Sequence, residues 1–417
     1  MKFSTKRLAA TAVVASLALA ACGGDDDDSA DEPAATTAAA EEPAADTTMA
    51  EEPATDTTMA EEPATEDTMA EEPAMEEEID YSAISGTLIG AGASSQAAAM
   101  DGWKAGFQAV ASNVTVEYDP IGSGGGRETF LGGGSDFAGS DAALKEDEWE
   151  ASKERCAGDQ GAINLPHYIS PIALPYNLPA IEGETLNLTP ELIAGIFANQ
   201  ITNWNDPAIL EVNPDLDGML PDMTIVPVHR SDDSGTTENF TDYMSQTAPD
   251  IWTYGAIEPW DSEGPGGGEG APQTSGVVQA VNAGEGSIGY ADASQIGDLP
   301  AAAVGVAGEF VPFSAEAAGR IVDASERTGG RSEYDFAIEV NRNPETADTY
   351  PIALVSYHIV CLQYDDQETV DLVKAFMTWV GSEDGQAASA ASAGSAPISE
   401  EVRNDLLVSI NQISVAG

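Results

Sequence analysis

The sequence predicts an α/β protein of two lobes with a ligand cleft between them, preceded by a disordered acidic tether. Three observations point there. Short apolar runs alternate with segments whose apolar residues recur at helical spacing. About 335 residues follow the tether, more than one hydrophobic core comfortably holds. The first 80 residues also differ wholly in composition from the rest.

The chain opens with Lys2, Lys6 and Arg7, then an apolar stretch from Leu8, then Leu19-Ala20-Ala21-Cys22. This is the pattern of a secretory signal peptide over residues 1–21, ending in a lipobox-type sequence with Cys22 as the lipidation site. No other segment reaches the ~18 apolar residues that a spanning helix needs. The expectation is a lipoprotein anchored to the outer face of the cell membrane. Residues 22–82 read as the tether. The decapeptide Glu41-Glu42-Pro43-Ala44-Ala45-Asp46-Thr47-Thr48-Met49-Ala50 recurs with small changes from Glu51, Glu61 and Glu71. A ten-residue period without an apolar face buries no core, and 22 acidic residues with no basic one between positions 25 and 80 repel each other.

The formal net charge is −57, and the part after the tether still carries −38, from 50 acidic and 12 basic residues. Those basic residues form no run and no aromatic-interleaved patch, which argues against nucleic acid as a partner. The long-range field also repels anions, so an anion site here must rest on local dipoles and individual side chains.

Such local chemistry recurs three times. Leu88-Ile89-Gly90-Ala91-Gly92-Ala93-Ser94-Ser95 is a short strand entering a Gly/Ser turn, and Met100, Trp103, Phe107 and Val110 then fall at helical spacing. Val114 to Ile121 is a second strand, entering Gly122-Ser123-Gly124-Gly125-Gly126, with a helix expected from Arg127. Asp136 to Asp141 follows, a short apolar core ending in an acid. Thr224 to Val228 is a third strand, entering His229-Arg230-Ser231-Asp232-Asp233-Ser234-Gly235-Thr236-Thr237, with Phe240, Tyr243 and Met244 on the helix beyond. A strand–turn–helix unit leaves free N–H groups and a partial positive charge at the helix start. Ser234, Thr236 and Thr237 add hydroxyls there, Gly235 allows close approach, and Arg230 adds a planar fork of donors matched to an oxyanion.

The remaining signals are structural. Ile169 to Leu178, with Pro171 and Pro175, reads as an extended crossover strand, and Tyr350 to Leu362 as a second β-rich run. Thr189-Pro190-Glu191 starts a helix whose Leu192, Ile193, Ile196 and Phe197 belong to the core. Trp204 reads as core, Gly264 to Gly270 as a flexible loop, and Val370, Val373, Met377 and Val380 as a helix face. In an exported chain, Cys156 and Cys361 read as a disulfide, with two buried thiols as the alternative. His167, His229 and His358 are scattered and read as core or rim residues rather than metal ligands.

Taken in order, G-A-G-A-S, G-S-G-G-G, D-F-A-G-S-D and R-S-D-D-S-G-T resemble the motifs of the phosphate-binding lipoprotein of the bacterial high-affinity phosphate ABC transporter. The similarity continues through Leu192 to Phe197, Thr202 to Asp206, Gly264 to Gly270 and Gly286 to Tyr290, and spans about residues 83–417. It implies a periplasmic-binding-protein fold with a hinge-closing cleft. We place lobe 1 at 83–169 plus 352–417 and lobe 2 at 170–351. The resemblance implies phosphate contacts from Ser94, Ser95, Ser123, Asp141, Arg230, Ser234, Gly235 and Thr236, with Asp232 holding the arginine. The family usually has Thr-Phe where this chain has Ser94-Ser95, which bears on how the pocket mouth is shielded. Inorganic phosphate and the permease subunits are the implied partners of a monomer that needs no cofactor and no metal.

Asp141 is the discriminating residue of that set. A carboxylate repels a fully ionised oxyanion but accepts a hydrogen bond from the proton that phosphate retains at neutral pH. An enzyme is not expected: no histidine stands beside Ser123 or Ser234, and the H-E-x-x-H, P-loop lysine and G-x-S-x-G patterns do not occur. A surface-anchored phosphate sensor or adhesin is the alternative reading.

Overall fold

Strand β1 (Gly86–Gly92), helix α1 (Ala97–Val110), strand β2 (Val114–Asp119), helix α2 (Ser123–Leu131) and strand β3 (Phe137–Ser140) open the folded body. The computed structural model describes residues 79–328 and 331–417. The leader, Cys22 and the tether as far as residue 78 lie outside the described residues. Ile79 and Tyr81 already pack against the core.

The three strands are parallel, with β1 between β2 and β3. Met100, Trp103 and Phe107 of α1 are buried as their spacing predicts, but Val110 ends the helix 44% exposed, and the helix cap Ala111 takes the buried place. Helix α2 starts at Ser123, four residues before the expected Arg127. Two of its glycines stand where nothing larger fits: a Cβ on Gly126 would lie 2.3 Å from the Gly92 Cα, and one on Gly124 2.6 Å from the Asp233 Cβ. The helix N-terminus thereby rests directly on the β1 backbone.

Helix α3 (Glu146–Arg155) has acids in its first turn and Lys153 and Arg155 in its last, matching the helix dipole. Strand β4 (Ala162–Ala173) is buried along all 12 residues and starts well before the expected Ile169. Its pairing with the returning strand slips beside Pro166 and His167, where a proline removes a ladder donor.

The chain continues as β5 (Asn187–Leu188), α4 (Pro190–Phe197), α5 (Pro207–Val212), β6 (Val226–Arg230), α6 (Gly235–Thr247), α7 (Trp260–Glu263), β7 (Glu269–Ala271), α8 (Gln273–Ala283) and β8 (Ser287–Gly289). Then come β9 (Ala291–Asp292), β10 (Ala303–Val306), β11 (Glu309–Val311), α9 (Ala315–Asp323), β12 (Glu326–Arg327) and β13 (Ile338–Glu339). Strands β7, β6 and β8 form a parallel sheet, and β11, β10 and β5 a second sheet. Strand β6 carries His229 and Arg230 within it, so the turn is shorter than the sequence predicts. Part of the expected glycine loop is strand as well, since Glu269 and Gly270 belong to β7. Thr189 caps α4 by accepting from the Leu192 N–H at 3.3 Å, and Trp204 is fully buried, donating to Gly286 O at 2.9 Å.

The chain returns through β14 (Ala353–Cys361), β15 (Gln363–Tyr364), α10 (Gln367–Gly381), α11 (Glu383–Ala393), α12 (Glu400–Asn411) and β16 (Ser414–Val415). Strand β14 inserts between β3 and β4, antiparallel to both, and β9 adds at the far edge, giving the order β2-β1-β3-β14-β4-β9. A disulfide joins Cys156, at the end of α3, to Cys361, at the end of β14. His167 and His358 meet in this core with their Nδ1 atoms 3.0 Å apart. Among the described residues no helix is long and apolar enough to cross a membrane.

Candidate functional site

The three strand–turn–helix units converge. The turn before α1, the start of α2 and the end of β3 meet the start of α6, and the carboxylate of Asp141 lies at the junction, 3% exposed. Ser95 Oγ donates to Asp141 Oδ1 at 2.6 Å and Thr236 Oγ1 donates to Oδ2 at 2.7 Å. The Asp141 N–H donates to Ser123 Oγ at 3.1 Å. Ser234 caps α6 by accepting from the Thr237 N–H at 3.2 Å. Gly235 sits so close to the first lobe that a Cβ would lie 2.7 Å from Ala142 N. Ser94 accepts from the Thr274 N–H at 3.1 Å, across to the start of α8.

Arg230 ends β6 and is 2% exposed. Asp232 accepts from its Nε at 2.7 Å and also from its Nη2, making a two-point clamp. The clamp is itself held, since Asp232 Oδ1 accepts from the Gln273 N–H at 2.8 Å. Gly122, with φ of +101°, lets the turn before α2 lie over this pair; a Cβ there would meet Asp232 Oδ2 at 2.5 Å. Tyr290 supports the same strand, its hydroxyl accepting from the Arg230 N–H at 3.1 Å and lying 2.7 Å from Thr237 Oγ1. Burial pushes the Tyr290 hydroxyl up to about 12, so it stays protonated.

Burial raises the Asp141 carboxyl above the usual carboxylate range, while Ser356, Ser95, Thr236 and the charge of Arg230 pull it back down. The arrangement offers helix N-termini, hydroxyls and one guanidinium, opposed by a single buried carboxylate. Ser123 and Ser234 are occupied with backbone N–H groups and have no histidine base. Among the described residues no cluster of His, Cys, Asp and Glu is arranged to hold a metal ion.

Several residues at the junction were not picked out from the sequence. Ser356 of β14 donates to Asp141 Oδ1 at 2.6 Å, and Gln96 stands behind it. The lobes are also clasped around the site. Gly124 N donates to Asp233 O at 3.2 Å, Asn239 Nδ2 to Asp141 O at 2.7 Å, and Gln295 Nε2 to Ser94 O at 2.8 Å. Glu258, between α6 and α7, receives Arg127 at 2.7 Å and Lys145 at 2.6 Å. Burial pushes Glu258 up, but these two cations outweigh it and hold it ionised.

The model of the PBP superfamily domain matches residues 81–384. Phosphate-binding protein PstS 3 of Mycobacterium tuberculosis is 34% identical over 333 residues, covering 79% of this chain and 87% of that protein. Phosphate-binding protein PstS of Methanocaldococcus jannaschii is 29% identical over 324 residues, covering 75% and 82%. Among solved structures, a phosphate-binding protein from Stenotrophomonas maltophilia shares the fold with a TM-score of 0.62 at 21% identity, covering 78% of this chain and 93% of that one. On these similarities, with the motifs and the two-lobed fold that carries them, the chain belongs to the phosphate-binding protein PstS family of the PBP superfamily.

Proposed function

We propose that this protein captures inorganic phosphate, as the mono- and dibasic ion, in its inter-lobe cleft outside the cytoplasm and delivers it to an ABC permease for import. The observation that carries the reading is the apposition of buried Asp141 to buried Arg230 and the start of α6. Arg230 offers its Nη1 edge, since Asp232 occupies the other. The N–H groups of Ser95, Gly235 and Thr236 and the hydroxyls of Ser94, Ser123 and Ser234 complete the donor set. Each is worth more in a desolvated cleft than in water.

Asp141 supplies the selectivity. It accepts the proton that hydrogen phosphate carries, whereas sulfate would present a bare oxygen to a buried carboxylate and lose roughly 1–3 kcal/mol or more. Calorimetric titration of the Asp141→Asn variant with phosphate and sulfate tests this. The variant is expected to bind both anions comparably, and unchanged exclusion of sulfate would remove Asp141 from the role. Arsenate, with the same protonation and similar size, is expected to compete with phosphate.

Lipid attachment at Cys22 anchors the monomer to the outer face of the membrane in this reading, with residues 22–82 as its spacer. Cys22→Ser is expected to release the protein into the medium. Loss of phosphate uptake on deletion distinguishes transport from a sensor or adhesin role.

A further inference from the structure

We propose that Ser356, aimed by Gln96, is a specificity-determining residue: it holds Asp141 in the role of hydrogen-bond acceptor, and so fixes the pH range over which the cleft excludes proton-free oxyanions. This rests on the reading that Asp141 takes the proton of the ligand.

The geometry gives the hydroxyl of Ser356 a direction. Gln96 and Ser356 are both fully buried. Gln96 Nε2 donates to Ser356 Oγ at 2.6 Å and to Tyr357 O at 3.2 Å. A backbone carbonyl only accepts, so Tyr357 O fixes which end of the amide points this way. The reversed amide would set two acceptors against each other. With Gln96 donating to it, Ser356 directs its single proton to Asp141 Oδ1 at 2.6 Å. The relay therefore runs one way, from amide to hydroxyl to carboxylate. The buried Gln96 Oε1 has no hydrogen-bond partner among the described residues, a cost that the two bonds from its nitrogen offset.

The other two donors to Asp141 differ in kind. Ser95 and Thr236 stand in the ligand turns, where their hydroxyls are free to serve the anion instead. Ser356 comes from the central strand β14, behind the carboxylate, and is aimed by a residue that does not face the cleft. It is the donor that persists whichever way the turn hydroxyls rotate. Without it, a buried carboxylate takes up a proton more readily. Once protonated, Asp141 presents a donor to the cleft and no longer penalises sulfate.

The other titratable or charged groups facing Asp141 are Arg230 of β6, Tyr118 of β2 and Asp292 of β9. Arg230 favours the ionised form and Tyr118 stays neutral. Burial lifts Asp292 to about 6, so it titrates within the working range. The Asp292→Asn background therefore separates its contribution from that of Ser356.

The test is competition calorimetry of phosphate against sulfate from pH 4.5 to 8, on the full folded body and in the Asp292→Asn background. Ser356→Ala is expected to move the pH at which half of the sulfate exclusion is lost upward by about one unit, roughly a tenfold change in competition at a fixed pH on that slope. Ser356→Thr, which keeps the hydroxyl, is expected to restore the parental midpoint, and Gln96→Leu to reproduce part of the shift. A parental midpoint in Ser356→Ala, with Asp141→Asn indiscriminate at every pH, overturns the relay and leaves the role of Asp141 standing. Sulfate exclusion that survives in Asp141→Asn overturns that role itself.

Discussion

Glu258 of the second lobe accepts from the buried guanidinium of Arg127 in the first lobe at 2.7 Å. The pair is 1% exposed on each side, and Arg127 is also held by Glu148 at 2.9 Å and by Ser140 Oγ at 2.9 Å. In the proposed closing of the cleft this pair joins the two sides, so its energy enters the closing equilibrium directly. Glu258→Gln keeps the shape and removes the charge, leaving a buried cation underpaired. We expect phosphate affinity to weaken about tenfold or more, mainly through faster release. Stopped-flow dissociation measured beside calorimetry checks this.

Gly235 tests closure from the steric side. A Cβ there would sit 2.7 Å from Ala142 N and 2.9 Å from Asp141 C, backbone atoms of the opposite lobe that have little room to move. Gly235→Ala should therefore hold the lobes apart while each stays folded. The expected outcome is a loss of phosphate affinity of roughly 10- to 100-fold, the equivalent of a modest overpacking penalty. X-ray scattering with saturating phosphate is expected to show a larger radius of gyration than the parent protein.

Glu238, on the first turn of α6, makes stability depend on pH near neutrality. Burial and the neighbouring charge of Glu258 raise its carboxyl to about 7, above the ordinary value of 4.5. The folded state therefore holds this proton more tightly than the unfolded state. Its contribution is fully present below about pH 4.5 and is lost as pH rises through 7. Glu238→Gln, which is uncharged throughout, is expected to raise the melting temperature by about 2–4 °C at pH 8. It should make little difference at pH 4.5. Melting curves at the two pH values decide it.

The Cys156–Cys361 bond closes a loop of 205 residues. Chain-entropy reasoning assigns such a loop on the order of 4–5 kcal/mol. The Cys156→Ser, Cys361→Ser double variant is expected to lose a substantial part of that in urea unfolding. Phosphate binding should survive in native buffer, because neither cysteine supplies a group to the junction at Asp141.

The donor turns were legible in the sequence because each is local. Strand, glycine, hydroxyl and helix follow one another within about a dozen residues, and the spacing alone aims the free N–H groups. The disulfide was legible as the only even pairing left after Cys22. Ser356 was not, because a single serine in Ala353–Cys361 differs little from any polar residue in a buried strand. Only the topology brings it to Asp141, 215 residues away in sequence. A strand buried on both faces usually reads as unbroken apolar sequence, so Ser356 and His358 were the visible interruptions and a usable signal. Glu258 was hidden in the same way, as one acid among many in an acidic chain. The early start of α2 was missed because glycine has poor helix propensity. Here contact between helix and strand backbones outweighs that preference.

The same bond has a consequence for the order in which the molecule can be made. Residue 361 leaves any channel that delivers the chain N-terminus first only 205 residues after Cys156. The ring cannot be sealed until the stretch between them is already outside, while β3 and β4 wait for β14 to enter between them. The sheet that holds these strands is thus begun early and completed only then. Asp141, which gains its Ser356 donor from that same arriving strand, becomes a complete acceptor only when the chain 215 residues beyond it has emerged.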